Sequence, residues 1–164
     1  MAKKKKYKNL FSILIILIAT LSSSISSRLL EGFYLSDYLN IQYILIYFFC
    51  FNRFKYFTGI FLFFLGILSD SLMGNFLGVS SLAYLIIYKI ASYQNIIQVR
   101  STFFPEWFAF GLAIFIVYSI DFFIFYLTNI NFDFFAFATN FLGSFCFYPI
   151  FWFLLKYIFS RLDN

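Results

Sequence analysis

The chain has 164 residues, a formal net charge of +5, no His, and a mean hydropathy of +0.87. Its composition is 63% hydrophobic and 12% charged, where soluble domains carry about 25% charged residues; this excludes an ordinary water-soluble fold and implies a polytopic membrane protein. With no His, and with Cys50 and Cys146 both inside apolar stretches, most routes to zinc, iron or copper are closed, so no metal or cofactor is expected.

The chain opens with a basic segment, residues 1–9, holding Lys3, Lys4, Lys5, Lys6 and Lys8. This resembles the charged start of a signal peptide, but no clear small-residue cleavage site follows. The run from Leu10 to Ser27 is therefore read as an uncleaved first transmembrane helix. A span needs about 20 mostly apolar residues, and further spans are expected at Leu39 to Asn52, Phe57 to Met73, Leu77 to Gln94, Glu106 to Leu127 and Phe134 to Tyr157. The second is short for an upright crossing, so it either begins earlier, within Ser36 to Asn40, or thins the bilayer locally.

Basic residues collect in cytoplasmic loops. With the N-terminus inside, ten of them fall on cytoplasmic segments: the five N-terminal lysines, Arg53, Lys55, Arg100, Lys156 and Arg161. Only Arg28 falls outside, beside Glu31, Asp37 and Asp133. The expected fold is all-α: a polytopic integral membrane bundle of about six transmembrane helices with both termini cytoplasmic. It forms a single domain over 10–157, with a cytoplasmic tail at 158–164. No loop exceeds roughly a dozen residues, so no soluble catalytic unit and no nucleic-acid partner is expected. Function must reside in the spans or in what binds them.

The most informative segment joins the third and fourth spans through Gly66-x-x-x-Asp70-x-x-x-Gly74-x-x-x-Gly78. Small residues at every fourth position share one helix face and let another backbone approach closely, so Gly66, Asp70, Gly74 and Gly78 are candidates for helix packing or a partner interface. In the sixth span Ala136, Asn140, Gly143 and Ser144 make a similar face. A carboxylate in such a stretch needs a partner, a cavity or a wet turn. Asp70 either caps the turn that follows it or sits inside the bundle, paired with Lys89 or held near Asp121. Counted at 1.5 Å per residue, Asp70 lies about 20 Å and Lys89 about 12 Å from the inner boundary, close enough to pair, and the reading preferred over that pair is that Lys89 snorkels to the cytoplasmic surface. Lys89, Asp121 and Asn140 are the candidate buried polar groups.

Catalysis is not expected. A rhomboid-type serine protease needs a histidine base, and the chain has none. Asp70 and Asp121 could supply the two carboxylates of a membrane aspartyl peptidase, but they lack the Asn and Gly-rich surroundings of the lipoprotein signal peptidases. The stretch from Gly66 through Ser69-Asp70-Ser71 and Gly74 to Leu77-Gly78, followed by Ser81-Leu82-Ala83-Tyr84, resembles the signature of the MreD family of rod shape-determining membrane proteins. That signature runs Gly-Leu-Leu-x-Asp, then Gly, then Leu-Gly. Size, layout and basic N-terminus agree as well. Tyr47-Phe48-Phe49 and Asn52-Arg53 stand where the family often has Trp, Pro and a basic residue.

The resemblance implies a noncatalytic scaffold of the cell-elongation complex in the bacterial inner membrane. Its implied partner is MreC, and through it the MreB filament, the glycosyltransferase RodA and a penicillin-binding transpeptidase. The alternative is a substrate-binding membrane subunit of an energy-coupling vitamin transporter. Its usual Ala-x-x-x-Ala contact is not matched by Ala19 and the serine run of the first span.

Overall fold

The computed structural model describes residues 14–18, 20, 40–52, 57–73, 76–97, 103–128 and 134–163. These are helical throughout apart from short turns, with no strand among them. A helical piece at 14–18 and 20 precedes α1 (Ile41–Phe51), α2 (Gly59–Met73), α3 (Val79–Ile97), α4 (Phe103–Leu127) and α5 (Phe134–Asp163). Most of the expected first span, the segment from Arg28 to Asp37, and Arg53, Lys55, Gly74, Arg100 and Asp133 lie outside the described residues.

The chain packs around its shortest helix. α1 has 11 residues, and every side chain from Gln42 to Phe51 is buried, as expected for a helix that is apolar on all sides. α3, α4 and α5 pack against it, α2 packs on α3, and Ile16 joins the same core. At about 17 Å, α1 crosses only half of a hydrocarbon core of roughly 30 Å. Enclosure by its neighbours explains how so short a helix is tolerated: its ends meet protein rather than lipid. Asn40 caps its start by accepting from Tyr43 N–H at 3.4 Å, and the Asn40 N–H donates to Ser144 Oγ on α5 at 2.9 Å. At the other end Asn52 donates to Phe48 O through its backbone at 3.1 Å and its side chain at 2.8 Å, while Asn95 of α3 donates to Phe51 O. These contacts take up carbonyls that the helix end leaves free.

Among the described residues two helices are long and apolar enough to cross a membrane, over Phe103–Ile124 and Phe137–Arg161. Most of their residues are not buried, and Phe104, Phe108, Phe115, Phe153 and Leu154 are exposed. Apolar exposure on that scale suits lipid and not water. Ile41–Phe51 and Gly59–Met73 are apolar but shorter. The observed architecture is thus an all-α bundle with two full-length candidate spans among the described residues, where the sequence predicts six. α5 also continues beyond the predicted end at Tyr157 to Asp163, its last turn carrying Arg161, whose guanidinium donates to Tyr157 Oη at 3.1 Å.

Pro149 lies inside α5. Having no N–H, it cannot bond the carbonyl four residues earlier, that of Phe145. The indole of Trp107 on α4 donates to that oxygen at 2.9 Å, and its ring stacks on Phe145 at 4.7 Å. Gly111, one turn further along α4, leaves room for the same ring: a Cβ there would stand 2.6 Å from Phe145 Cε2.

Candidate functional site

The hairpin of α2 and α3 is built on a close approach of backbones. A Cβ on Gly66 would fall on the backbone of Ser81, with Ser81 Oγ only 2.7 Å away. Glycine is what lets the two helices meet there. Ser81 in turn donates through Oγ to Phe63 O at 3.0 Å, which holds the crossing in register. Gly59 lies on the same side of α2, where a Cβ would meet Leu85 at an ordinary 3.6 Å.

Asp70, in the last turn of α2, is 0% exposed. Its Oδ2 accepts from Gly78 N–H at 2.7 Å, and its two oxygens accept from Ser80 N–H at 3.2 and 3.3 Å. These amides open α3, where the first N–H groups lack partners inside the helix and the macrodipole favours a negative charge. The carboxylate therefore caps the next helix, across the loop. Gly78 has φ +103°, a backbone conformation that L side chains rarely adopt, so glycine is needed where the chain enters α3.

Lys89, expected among the buried polar groups, is exposed and forms no ion pair with Asp70. The distance along α3 explains this. Asp70 binds the helix at Ser80, and Lys89 stands nine residues on, about 14 Å along the axis. The line of α3 that faces α2 runs through Ser81, Leu85 and Tyr88, and Lys89 is about 100° further round. Asp121 on α4 is half-buried and lies within electrostatic reach of Asp70. Asn140 on α5 is also half-buried, and its Oδ1 is enclosed without a hydrogen-bond partner among the described residues.

A second polar centre has no counterpart in the sequence reading. Glu106, in the first turn of α4, is 1% exposed and accepts from Tyr148 Oη at 3.0 Å. Its backbone carbonyl accepts from Tyr47 Oη at 3.2 Å. Tyr47, Phe110 and Tyr148 pack as an aromatic box, with Phe110 stacked on Tyr148 at 4.4 Å and Tyr47 edge-on to both. Lys156 lies over the Trp152 ring at 4.2 Å and within electrostatic reach of Glu106. This centre ties α1, α4 and α5 together as Asp70 ties α2 to α3. Between them Tyr84 of α3 donates to Gln42 Oε1 of α1 and lies 3.3 Å from Ser69 Oγ of α2. The one legible signal was an acidic residue after Pro105 at a helix start, an arrangement that Pro and Glu favour there.

Both carboxylates are enclosed and engaged in fixing helices, and no cluster of three or more metal-ligating side chains occurs among the described residues. The arrangement organises a bundle. The family model for rod shape-determining protein MreD matches residues 3–158, nearly the whole chain. No curated protein and no solved structure matches significantly. The chain belongs to the MreD family, as a noncatalytic, multi-pass membrane scaffold of the bacterial cell-elongation complex.

Proposed function

We propose that the chain crosses the inner membrane six times with both termini in the cytoplasm. In this reading a basic segment at 1–9 and a tail at 158–164 flank one transmembrane domain. It binds the single membrane helix of MreC and thereby helps couple MreB filaments to RodA and its penicillin-binding transpeptidase. The observation that carries this reading is the family match over residues 3–158. The charge asymmetry supports the topology, since nine basic residues fall on the segments assigned to the cytoplasm, with Lys156 at the inner end of the last span, and one falls outside.

Gly66, Asp70 and Gly78 shape the partner surface from within, because they are engaged by α3 of the same chain. The outer face of α2 carries Ile60, Phe64 and Leu68 at four-residue spacing, all exposed among the described residues. That stripe is left for van der Waals packing by lipid or by a partner's membrane helix. The test is affinity purification of the tagged chain in mild detergent with mass spectrometry of what accompanies it. MreC, with or without RodA, is expected, and Gly66→Leu should weaken its recovery while the chain still inserts. Recovery of an ATPase pair or a bound vitamin would overturn the reading.

A further inference from the structure

Between α3 and α4 a groove of about 760 Å³ opens at the surface of the bundle, a volume within the usual range for ligand sites. Lys89, Tyr93 and Gln94 of α3 face Phe108 and Leu112 of α4 across it. Gln94 Nε2 donates to Pro105 O at 3.5 Å, tying the two walls at the end nearer the α3–α4 connection. Phe108 and Tyr93 are each 66% exposed and Leu112 56%, so the rim is apolar and turned toward lipid.

Lys89 is the anomaly in this wall. It stands eight residues before the end of α3, about 12 Å from that end, and a snorkelling lysine stem covers only roughly half of that distance. Lys89 lines a largely apolar groove, where an uncompensated charge is costly. No carboxylate pairs with it among the described residues. Glu106, the acidic residue of the facing helix nearest the groove, is enclosed and bonded to Tyr148, and Asp70 is taken by the start of α3. With no anion for Lys89 among the described residues, it is sought in the surroundings. Those surroundings are a bilayer, in which basic pockets between helices take acidic headgroups.

We infer that this groove holds an anionic phospholipid of the phosphatidylglycerol type. Its phosphate lies on the Lys89 ammonium, the Tyr93 hydroxyl donates to the headgroup, and an acyl chain lies along Phe108 and Leu112. The site belongs to the membrane-facing surface and is separate from the Asp70 cap and the Glu106 centre.

The full chain, purified in mild detergent, is mixed with equal amounts of phosphatidylglycerol and phosphatidylcholine of identical acyl chains, and retained lipid is counted by native mass spectrometry. One phosphatidylglycerol should be retained with a preference of about fivefold, the size expected of one basic residue at an anionic surface. Lys89→Met should abolish the preference and Lys89→Arg should keep it. Leu112→Trp, which fills the groove, should reduce retention with the charge intact. Lys156→Met, removing a basic residue elsewhere, should leave the preference unchanged, and matched melting temperatures of the variants exclude misfolding as the cause. Equal retention of both lipids, an unchanged preference in Lys89→Met, or displacement by glycerol phosphate as effectively as by the lipid would each overturn the assignment. So would photo-crosslinking from position 93 that captures a protein helix in the groove instead of lipid.

Discussion

Replacing Asp70 by Asn removes one charge while keeping the shape of the side chain, and it isolates the cap that joins α2 to α3. The carboxylate is fully enclosed and receives the N–H groups of Gly78 and Ser80. Asparagine offers one acceptor oxygen where aspartate offers two, and its amide group would face an N–H with another donor. A hydrogen bond to a charged group contributes about 1.5–3 kcal/mol, and the charge at the helix start adds roughly 0.3–1 kcal/mol. Losing one such bond and the charge, with the other bond kept in neutral form, should cost about 2–3 kcal/mol. Asp70→Ala, which leaves both amides unpaired, should cost about 3–5 kcal/mol, comparable to breaking a buried charged pair. Hydrogen exchange at the Gly78 and Ser80 amides, measured in detergent or nanodiscs, reads the effect locally. A loss of 2–3 kcal/mol corresponds to protection falling roughly 30- to 150-fold. In rod-shaped cells depleted of their own MreD, Asp70→Asn should restore rod shape less well than the parent chain. An unfolding free energy within about 0.5 kcal/mol of the parent, the ordinary scatter of a neutral change, together with unchanged protection at the two amides would refute the cap.

Gly66→Ala should destabilise by more than about 3 kcal/mol, the upper range for overpacking, because its Cβ meets the Ser81 backbone. Gly59→Ala, whose Cβ has only ordinary contacts, should be neutral or stabilise by up to ~1 kcal/mol; equal effects in denaturation titrations would contradict the crossing. Gly78→Ala should cost about 1–2 kcal/mol from backbone strain alone, since nothing lies within 4 Å of the added atom. Trp107→Phe should cost about 1–3 kcal/mol by leaving the Phe145 carbonyl unpaired. In a Pro149→Ala background that carbonyl regains a helical N–H, so a double-mutant cycle should show coupling of about 1–2 kcal/mol; strict additivity would rule out this pairing. Tyr148→Phe should cost roughly 1.5–3 kcal/mol, the range for a bond to a charged group, and an unchanged melting temperature would remove Glu106 from the set of helix ties.

Local pattern determined much of this protein. Apolar runs broken by turns placed helices close to where they lie: Leu39 to Asn52 against Ile41–Phe51, Phe57 to Met73 against Gly59–Met73, and Glu106 to Leu127 against Phe103–Leu127. Helix lengths and polarity are properties of neighbouring residues, so they are legible in one dimension. Gly66 lies on the face of α2 that meets Ser81 of α3. The same segment, read from Gly66 to Gly78, carried the family signature.

Direction around a helix and contacts across the bundle were decided only in three dimensions. Whether Asp70 capped a turn or met Lys89 depended on which amides came to it, and those of Gly78 and Ser80 stand eight and ten residues away across a loop. Depth arithmetic brought Lys89 near Asp70 because it counts from assumed membrane boundaries and is blind to rotation; Asp70 meets α3 nine residues before Lys89, and α3 turns Lys89 toward α4. Glu106 gave little local sign of its burial because its partners, Tyr47 and Tyr148, are 59 and 42 residues distant. Trp107 and Phe145 stand 38 residues apart, and only packing brings the indole of the one to the carbonyl that Pro149 leaves free. A buried polar group must find a partner, and the sequence names the groups in need of one. Only the assembled bundle chooses among the donors and acceptors that the chain can bring to each.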